Sequence, residues 1–253
     1  MLFSGDFAYY VAAFLSISIF GLSKGGLSAL GALGIPVLAL VVSPVKAAAI
    51  TLPVLIAQDW VGVWAFRHDF DRRNLLILMP ASLIGVGAGW LMASSVSDAV
   101  VRLAVGLVSL GFVVFMLVRE RMAAAEATQA KIAPGIFWGA VSGFTSFISH
   151  AGAAGFLVYI MPQRLPPRIF AGTSVIFFAA VNLLKIPPYF LLGQFSKENL
   201  FQSLLLLPIG VLSTLVGVWL TRVIPMDKFY KIVLVLTFLV GVKLVYDALA
   251  ELL

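Results

Sequence analysis

Apolar tracts long enough to cross a lipid bilayer recur along this chain from one end to the other. The hydrocarbon core of a bilayer is about 30 Å thick, and a helix of about 20 apolar residues spans it. Because 62% of the residues are apolar and only 11% are charged, the chain has too few polar side chains to cover a water-soluble surface. We therefore predict an all-α polytopic membrane protein.

Polar breaks divide the apolar tracts into two groups of five segments. The candidate segments lie at about 7–22, 26–42, 46–66, 74–93 and 99–118, and then at about 134–149, 153–162, 168–192, 199–221 and 228–250. A hydrophilic stretch, RERMAAAEATQAKIA, separates the two groups. We interpret 1–118 as a first transmembrane repeat, 119–133 as a cytoplasmic linker and 134–253 as a second transmembrane repeat.

The two halves carry matching motifs, which indicate an internal duplication. FDRRNL at 70–75 corresponds to FSKENL at 195–200, and a leucine-rich run that ends in proline follows each. The later matches are the prolines Pro80 and Pro208, the tryptophans Trp90 and Trp219, the aspartates Asp98 and Asp227, and the bases Arg102 and Lys231.

The basic residues predict how the chain is oriented in the membrane. There are 17 Lys and Arg residues against 11 Asp and Glu residues, and such an excess is typical of cytoplasmic loops, so we expect lipids and no nucleic acid as partners. If the loop RHDFDRR at 67–73 and the linker at 119–133 are cytoplasmic, both termini lie outside. Each half then crosses an odd number of times, and the second half is inverted. A re-entrant hairpin at the start of each half leaves this parity unchanged.

Glycine-rich breaks interrupt both halves at matching positions. They are GLSKGGLSALGALG at 21–34 and GFTSFISHAGAAG at 143–155. Broken segments at matching positions of inverted repeats indicate a transporter site near the bilayer midplane. We expect the two breaks to meet there, with Lys24 approaching from the cytoplasmic side and His150 from the exterior. The chain has no cysteine, and we predict no metal and no cofactor.

These motifs resemble the sulfite exporter TauE/SafE family of bacterial membrane transporters. GLSKGGLSALGALGIPVLALVVSPVKAAAITLPVLIAQDWVGVW is similar to the Lys-Gly-Gly stretch, Pro-x-Leu-Ala-Leu run and Leu-Pro-x-Leu-x-x-x-Asp segment of that family. GFTSFISHAG and FAGTSVIFFAAVNLLKIPPYFLLGQF are similar to its Ser-His-Ala-Gly turn and Asn-x-x-Lys-x-Pro-x-Tyr element. Where members often have glycine and two prolines, this chain has GAAG at 152–155. The resemblance implies export of sulfite, sulfonates or related small organosulfur anions across the inner membrane.

Lys24 is the first candidate ligand for such an anion. A lysine at the centre of a membrane helix costs about 2.5–3.5 kcal/mol on insertion scales, so it needs a partner or a place at the interface. We expect Lys24 to bind the anion together with the backbone N–H groups of Gly25 and Gly26 and the hydroxyl of Ser23. The alternative is a lysine that extends to the cytoplasmic surface.

The second break and two later segments supply the other candidates. His150 can donate a hydrogen bond or carry a proton, with a surface histidine as the alternative. Asp59 lies inside an apolar segment, where it takes a proton during transport or pairs with Lys185, and a structural ion pair is an equal alternative. Serine and threonine at such positions line cavities or serve in packing. The further candidates are Thr51, Thr145, Ser146, Ser149, Gly152, Thr173 and Asn182.

Two other functions remain open at this point. GLSKG at 21–25 fits the G-x-S-x-G pattern of a hydrolase nucleophile elbow, but that turn requires a preceding strand and a sheet, so we do not predict an enzyme. An intramembrane hydrolase with Ser23 and His150, or a passive anion channel, are the alternatives. We predict alternating-access transport of a small anion, by a protein that is a possible homodimer.

Overall fold

A computed structural model describes residues 7–27, 30–93, 97–121, 127–223 and 227–252. In these ranges the chain forms ten α-helices and no β-strand. Seven of the helices, α1, α3, α4, α5, α6, α8 and α9, are long and apolar enough to cross a membrane. The prediction of an all-α polytopic membrane protein is confirmed. The helices are α1 (Phe7–Lys24), α2 (Gly31–Ala39), α3 (Pro44–Phe66), α4 (Arg72–Ala93), α5 (Asp98–Arg121), α6 (Ile132–Ser149), α7 (Ala153–Ile160), α8 (Pro167–Leu191), α9 (Lys197–Val223) and α10 (Asp227–Leu252).

The matched motifs of the two halves form equivalent helix starts. Asp71 accepts a hydrogen bond from the N–H of Asn74 at 2.7 Å, and Ser196 accepts one from the N–H of Asn199 at 3.2 Å. Each side chain satisfies one of the unpaired N–H groups at a helix N-terminus. These caps explain why α4 and α9 begin within FDRRNL and FSKENL.

Each half opens with a long helix followed by a short one. The short helices α2 and α7 have 9 and 8 residues, so they rise only about 13 Å and cannot span a bilayer. The pairs α1–α2 and α6–α7 therefore form two hairpins, which we call the first and the second hairpin. Residues 28 and 29, within the first break, lie outside the described part of the chain.

The two hairpins enter the helix bundle from opposite ends. Lys46, near the start of α3, pairs with Glu198 at 3.1 Å and marks one end of the bundle. Asp69, just after the end of α3, pairs with Arg168 at 2.8 Å and marks the other end. The first hairpin begins and ends at the Lys46 end, where Tyr9 donates to Gln202 at 2.5 Å. The second begins and ends at the Asp69 end, where the Thr128 N–H donates to the carbonyl of Pro162 at 3.0 Å. Inverted repeats would produce this arrangement, although the inversion itself stays a prediction.

The two halves are interlocked. α1 packs on α9 and α6 packs on α4, so each hairpin lies against the third long helix of the opposite half, while α5 packs on α10 and α3 on α8. Glycines allow the close approach. A Cβ on Gly25 would lie 2.5 Å from the backbone of Gly217, and one on Gly143 would lie 2.2 Å from the carbonyl oxygen of Ser82. The halves are therefore not two separately packed bodies.

The segment between the halves is shorter than the interval 119–133 expected for the linker. α5 continues to Arg121 and α6 begins at Ile132, and residues 122–126 lie outside the described part of the chain. The assignment of this segment to the cytoplasm, and the division of the chain into two repeats, stay predictions.

Candidate functional site

Side chains from both hairpins line one cavity inside the bundle. Its volume is about 30 Å³, enough for a few water-sized groups. Lys24, at the end of α1, and His150, just after the end of α6, both line it, and α3 and α8 complete the wall. The lining residues are Phe20, Ser23, Lys24, Gly31, Leu55, Ser146, His150, Ala153, Ser174, Val175, Phe178 and Asn182.

The end of α1 is closed by its own backbone hydrogen bonds. The N–H of Gly25 donates to the carbonyl of Gly21 at 2.8 Å, and the N–H of Gly26 donates to that of Ser23 at 3.1 Å. Gly26 has φ = 116°, a conformation that glycine adopts readily and that ends the helix. The N–H groups of Gly25 and Gly26 are therefore not free in this structure: Gly25 packs on α9 and Gly26 forms the turn, and their contact with the anion stays a prediction.

His150 ends the second long helix in the corresponding place. Its φ of 51° is left-handed, and its N–H donates to the carbonyl of Ser146 at 3.0 Å. The imidazole Nε2 lies 3.0 Å from the carbonyl oxygen of Ala48, which can only accept, so Nε2 carries a proton. The Nδ1 atom then faces the ammonium group of Lys185 at 2.5 Å.

Lys24 is buried and paired with a carboxylate. Its Nζ atom lies 2.5 Å from Oδ1 of Asp59, and it also lies 5.3 Å from the ring centre of Phe178. The Asn182 amide donates to Oδ2 of Asp59 at 2.6 Å. The ion pair satisfies the need of Lys24 for a partner away from the bilayer surface. The alternative interpretation of Lys24 as a surface lysine does not fit its 7% exposure.

Lys185 does not pair with Asp59, and that predicted pairing is wrong. Its Nζ atom lies 3.1 Å from both the carbonyl oxygen and the hydroxyl of Ser146, in addition to its contact with His150. Asn182 and Lys185 lie three residues apart on one face of α8, so Asn182 reaches Asp59 while Lys185, almost one turn further along, reaches the end of α6. Lys185 is fully buried behind the cavity wall.

A comparison with protein families shows where this arrangement belongs. The family model described as sulfite exporter TauE/SafE matches residues 13–244, nearly the whole chain. The chain belongs to the sulfite exporter TauE/SafE family. No curated protein and no solved structure matches the chain.

TauE/SafE proteins are membrane transporters and not enzymes, so the chain is a multi-pass membrane transporter that takes a small anionic substrate. The hydrolase alternative is wrong for the same reason. Ser23 lies inside α1, and the residues described before it form helix and no strand, so the context that a nucleophile elbow needs is not there. The described part of the chain also holds no group of three or more metal-ligating side chains.

Five other candidates in this TauE/SafE chain lie outside the cavity: Thr51, Thr145, Ser149, Gly152 and Thr173. The Thr51 hydroxyl donates to the carbonyl of Ala47 at 2.9 Å, and that of Thr173 donates to Ile169 at 2.6 Å and accepts from the N–H of Asp71 at 2.8 Å. Neither residue lines the cavity, and their contact with the substrate stays a prediction. The Thr51 hydroxyl bonds within α3, whereas the Thr173 hydroxyl links α8 to Asp71, just before the start of α4.

Ser149 and Gly152 also serve the turn rather than the cavity. The Ser149 hydroxyl donates to the carbonyl of Thr145 at 3.3 Å, and the carbonyl of Gly152 accepts from Ser142 at 2.7 Å. Neither residue lines the cavity. The hydrogen bonds of both residues are made to α6, and their direct contact with the substrate stays a prediction.

The cavity wall includes residues that sequence reasoning missed. Ser174 lines it in place of its neighbour Thr173, and Phe20, Leu55 and Phe178 form its apolar wall. An apolar residue in an apolar segment carries no signal of such a role. Ser146, one turn before His150, is a candidate from the sequence that does line the cavity.

Proposed function

We propose that this transporter exports small organosulfur anions, such as sulfite or sulfonates, across the bacterial inner membrane by alternating access. The observation that carries the proposal is that Lys24 and His150, from hairpins that enter opposite ends of the bundle, line the same cavity. A site shared by two such hairpins can be exposed to either side by small movements of each. The family supplies the chemical class of the substrate.

The cavity offers the groups that a sulfur oxyanion needs. Lys24 supplies a cation, and Ser23, Ser146 and Ser174 place hydroxyl groups in the same wall. Electrostatic attraction is stronger here than in water because the surrounding protein has a low dielectric constant. An anion with several oxygens could therefore exchange its water shell for these groups.

A second cavity supports a route towards the Lys46 end of the bundle. It has a volume of about 70 Å³, and its wall includes Phe147 and Tyr189. The Tyr189 ring stacks on His150 with ring centres 6.3 Å apart, and its hydroxyl donates to the carbonyl of Phe147 at 2.7 Å. One layer of side chains thus lies between the two cavities, and we propose that it opens when the anion leaves.

The interlocked packing bears on which parts move. Each hairpin is packed on a helix of the opposite half, so movement of one complete repeat against the other would separate the closest contacts in the molecule. We instead propose that the hairpins, together with α4 and α9, move relative to the central helices α3 and α8.

A channel is the competing function, and counterflow distinguishes the two. Proteoliposomes loaded with unlabelled sulfite should take up radiolabelled sulfite transiently above its equilibrium level, which an alternating-access carrier does and a passive channel does not. We expect Lys24→Ala to lower this uptake about tenfold or more, because it removes the cation and leaves Asp59 unpaired.

Lys243→Ala is the matched control. Lys243 pairs with Asp247 at 2.8 Å on the exposed face of α10, away from the cavity, so its loss should leave counterflow unchanged. If wild-type liposomes show only equilibration, the carrier proposal is wrong. If Lys24→Ala transports like the parent, the proposed site is wrong.

A further inference from the structure

The buried charges around the cavity do not cancel. Within the described residues, the buried side chains with formal charges are Lys24, Asp59 and Lys185. Lys24 and Asp59 form an ion pair and neutralise one another. Lys185 has no carboxylate within ion-pair distance among the described residues, so the cluster has one net positive charge when both lysines are protonated and Asp59 is ionised.

The Lys185–His150 contact keeps this charge in place. Three acceptors, the Ser146 carbonyl, the Ser146 hydroxyl and Nδ1 of His150, surround Nζ of Lys185, which matches the three donors of an ammonium group. If the proton between Nζ and Nδ1 moves to the imidazole, the pair still carries one positive charge. His150 and Ser146 also line the cavity, so this charge lies directly behind its wall.

The rest of the wall offers no second uncompensated cation. Phe20, Leu55, Val175 and Phe178 are apolar, and Lys24 is already paired with Asp59. A monovalent anion in the cavity would therefore cancel the net charge of the cluster. A divalent anion would leave one negative charge without a partner in a medium of low dielectric constant, which is unfavourable.

We infer that this site selects monovalent sulfur oxyanions, such as alkyl sulfonates and hydrogen sulfite, over divalent anions of the same size. The inference rests on the proposed function and makes its substrate class narrower. The apolar wall fits the carbon-bearing side of a sulfonate, while the polar wall meets its three oxygens. Asp59 determines the selection without touching the substrate, because it fixes the number of positive charges that remain.

Methanesulfonate and sulfate provide a matched pair of probes. Both place three oxygens on a tetrahedral sulfur, and they differ in whether the fourth group is a methyl group or a charged oxygen. Calorimetric titration of the purified full-length protein should show that methanesulfonate binds about tenfold or more tightly than sulfate. The readout is the ratio of the two dissociation constants.

Two variants test the role of the charge count. Asp59→Asn leaves two positive charges, so the ratio should shift towards sulfate by about tenfold or more. The double variant Lys24→Met, Asp59→Asn removes one charge of each sign, and the parental preference for methanesulfonate should return even if both anions bind more weakly. A purely structural effect of Asp59→Asn would weaken the binding of both anions by the same factor and leave the ratio of their dissociation constants unchanged.

The outcomes separate this inference from the proposed function. If the wild type binds sulfate as tightly as methanesulfonate, or if Asp59→Asn leaves the ratio unchanged, charge selection is wrong while organosulfur transport stands. If the wild type binds neither these anions nor sulfite, the proposed function is wrong and this inference is wrong with it.

Discussion

At the scale of single residues, His150 connects the backbone of the second hairpin to the chemistry of the cavity. Its left-handed φ of 51° directs the imidazole between Ala48 and Lys185. A residue other than glycine in this conformation is uncommon, and asparagine tolerates it better than alanine. The two demands on this position, a backbone conformation and a ring, can therefore be tested separately.

We predict that His150→Asn and His150→Ala both lose anion binding, because each removes the ring that touches Lys185. The alanine variant should also be less stable than the asparagine variant, by about 1 kcal/mol, since alanine in a left-handed turn is strained. Thermal unfolding in detergent gives the stability, and titration with methanesulfonate gives the binding. Equal stability of the two variants would show that the turn is not strained, and parental binding by both would remove His150 from the site.

The sequence indicated the charged members of this site but not their partners. Lys24, Asp59 and His150 could be selected because ionisable side chains are rare inside a membrane protein. The pairing of Asp59 with Lys24, and not with Lys185, depends on how α1, α3 and α8 are rotated against one another. Spacing along one chain does not contain that information.

At the scale of helices, the close contacts between α6 and α4 and between α1 and α9 hold the hairpins in the bundle. Both contacts depend on glycines whose missing side chains let backbones meet. The sequence predicts the glycine-rich breaks, and it indicates the anion as the reason for their glycines. Much of their role is packing across the two halves, which no local pattern reveals.

We predict that Gly143→Ala destabilises the protein, because its Cβ would lie 2.2 Å from the carbonyl oxygen of Ser82, a backbone atom that cannot move alone. Overpacking of this kind costs about 1–3 kcal/mol. Gly111→Ala is the control, since no heavy atom lies within 4 Å of the position that its Cβ would take. Thermal unfolding of both variants tests the contact, and equal loss of stability in the two would show that α6 and α4 are not closely packed in the membrane.

At the scale of the whole molecule, the direction of transport depends on which end of the bundle faces the cytoplasm. The positive-inside rule assigns the Asp69 end to the cytoplasm and the Lys46 end to the exterior. The chain has no native cysteine, so a single introduced cysteine reports on its own position. Gln129 lies between α5 and α6, and Leu252 lies at the end of α10, and both are exposed.

We predict that an impermeant maleimide added to intact cells labels Leu252→Cys and not Gln129→Cys. Both variants should be labelled after the membrane is opened with detergent, which controls for the reactivity of each thiol. The reverse pattern in intact cells would invert the orientation, and labelling of both or neither would contradict the odd number of crossings in the second half.

Filling the cavity between the two hairpins tests most directly whether the anion binds there. Ser174 is 2% exposed and lines the cavity, so Ser174→Leu adds an apolar side chain where the anion would lie. Gly111→Leu adds a similar side chain at a position whose Cβ would have no atom within 4 Å, and it serves as the control. In calorimetric titration with methanesulfonate, we predict that Ser174→Leu binds about tenfold more weakly or not at all, while Gly111→Leu binds like the parent. Parental affinity in Ser174→Leu would show that the anion binds elsewhere.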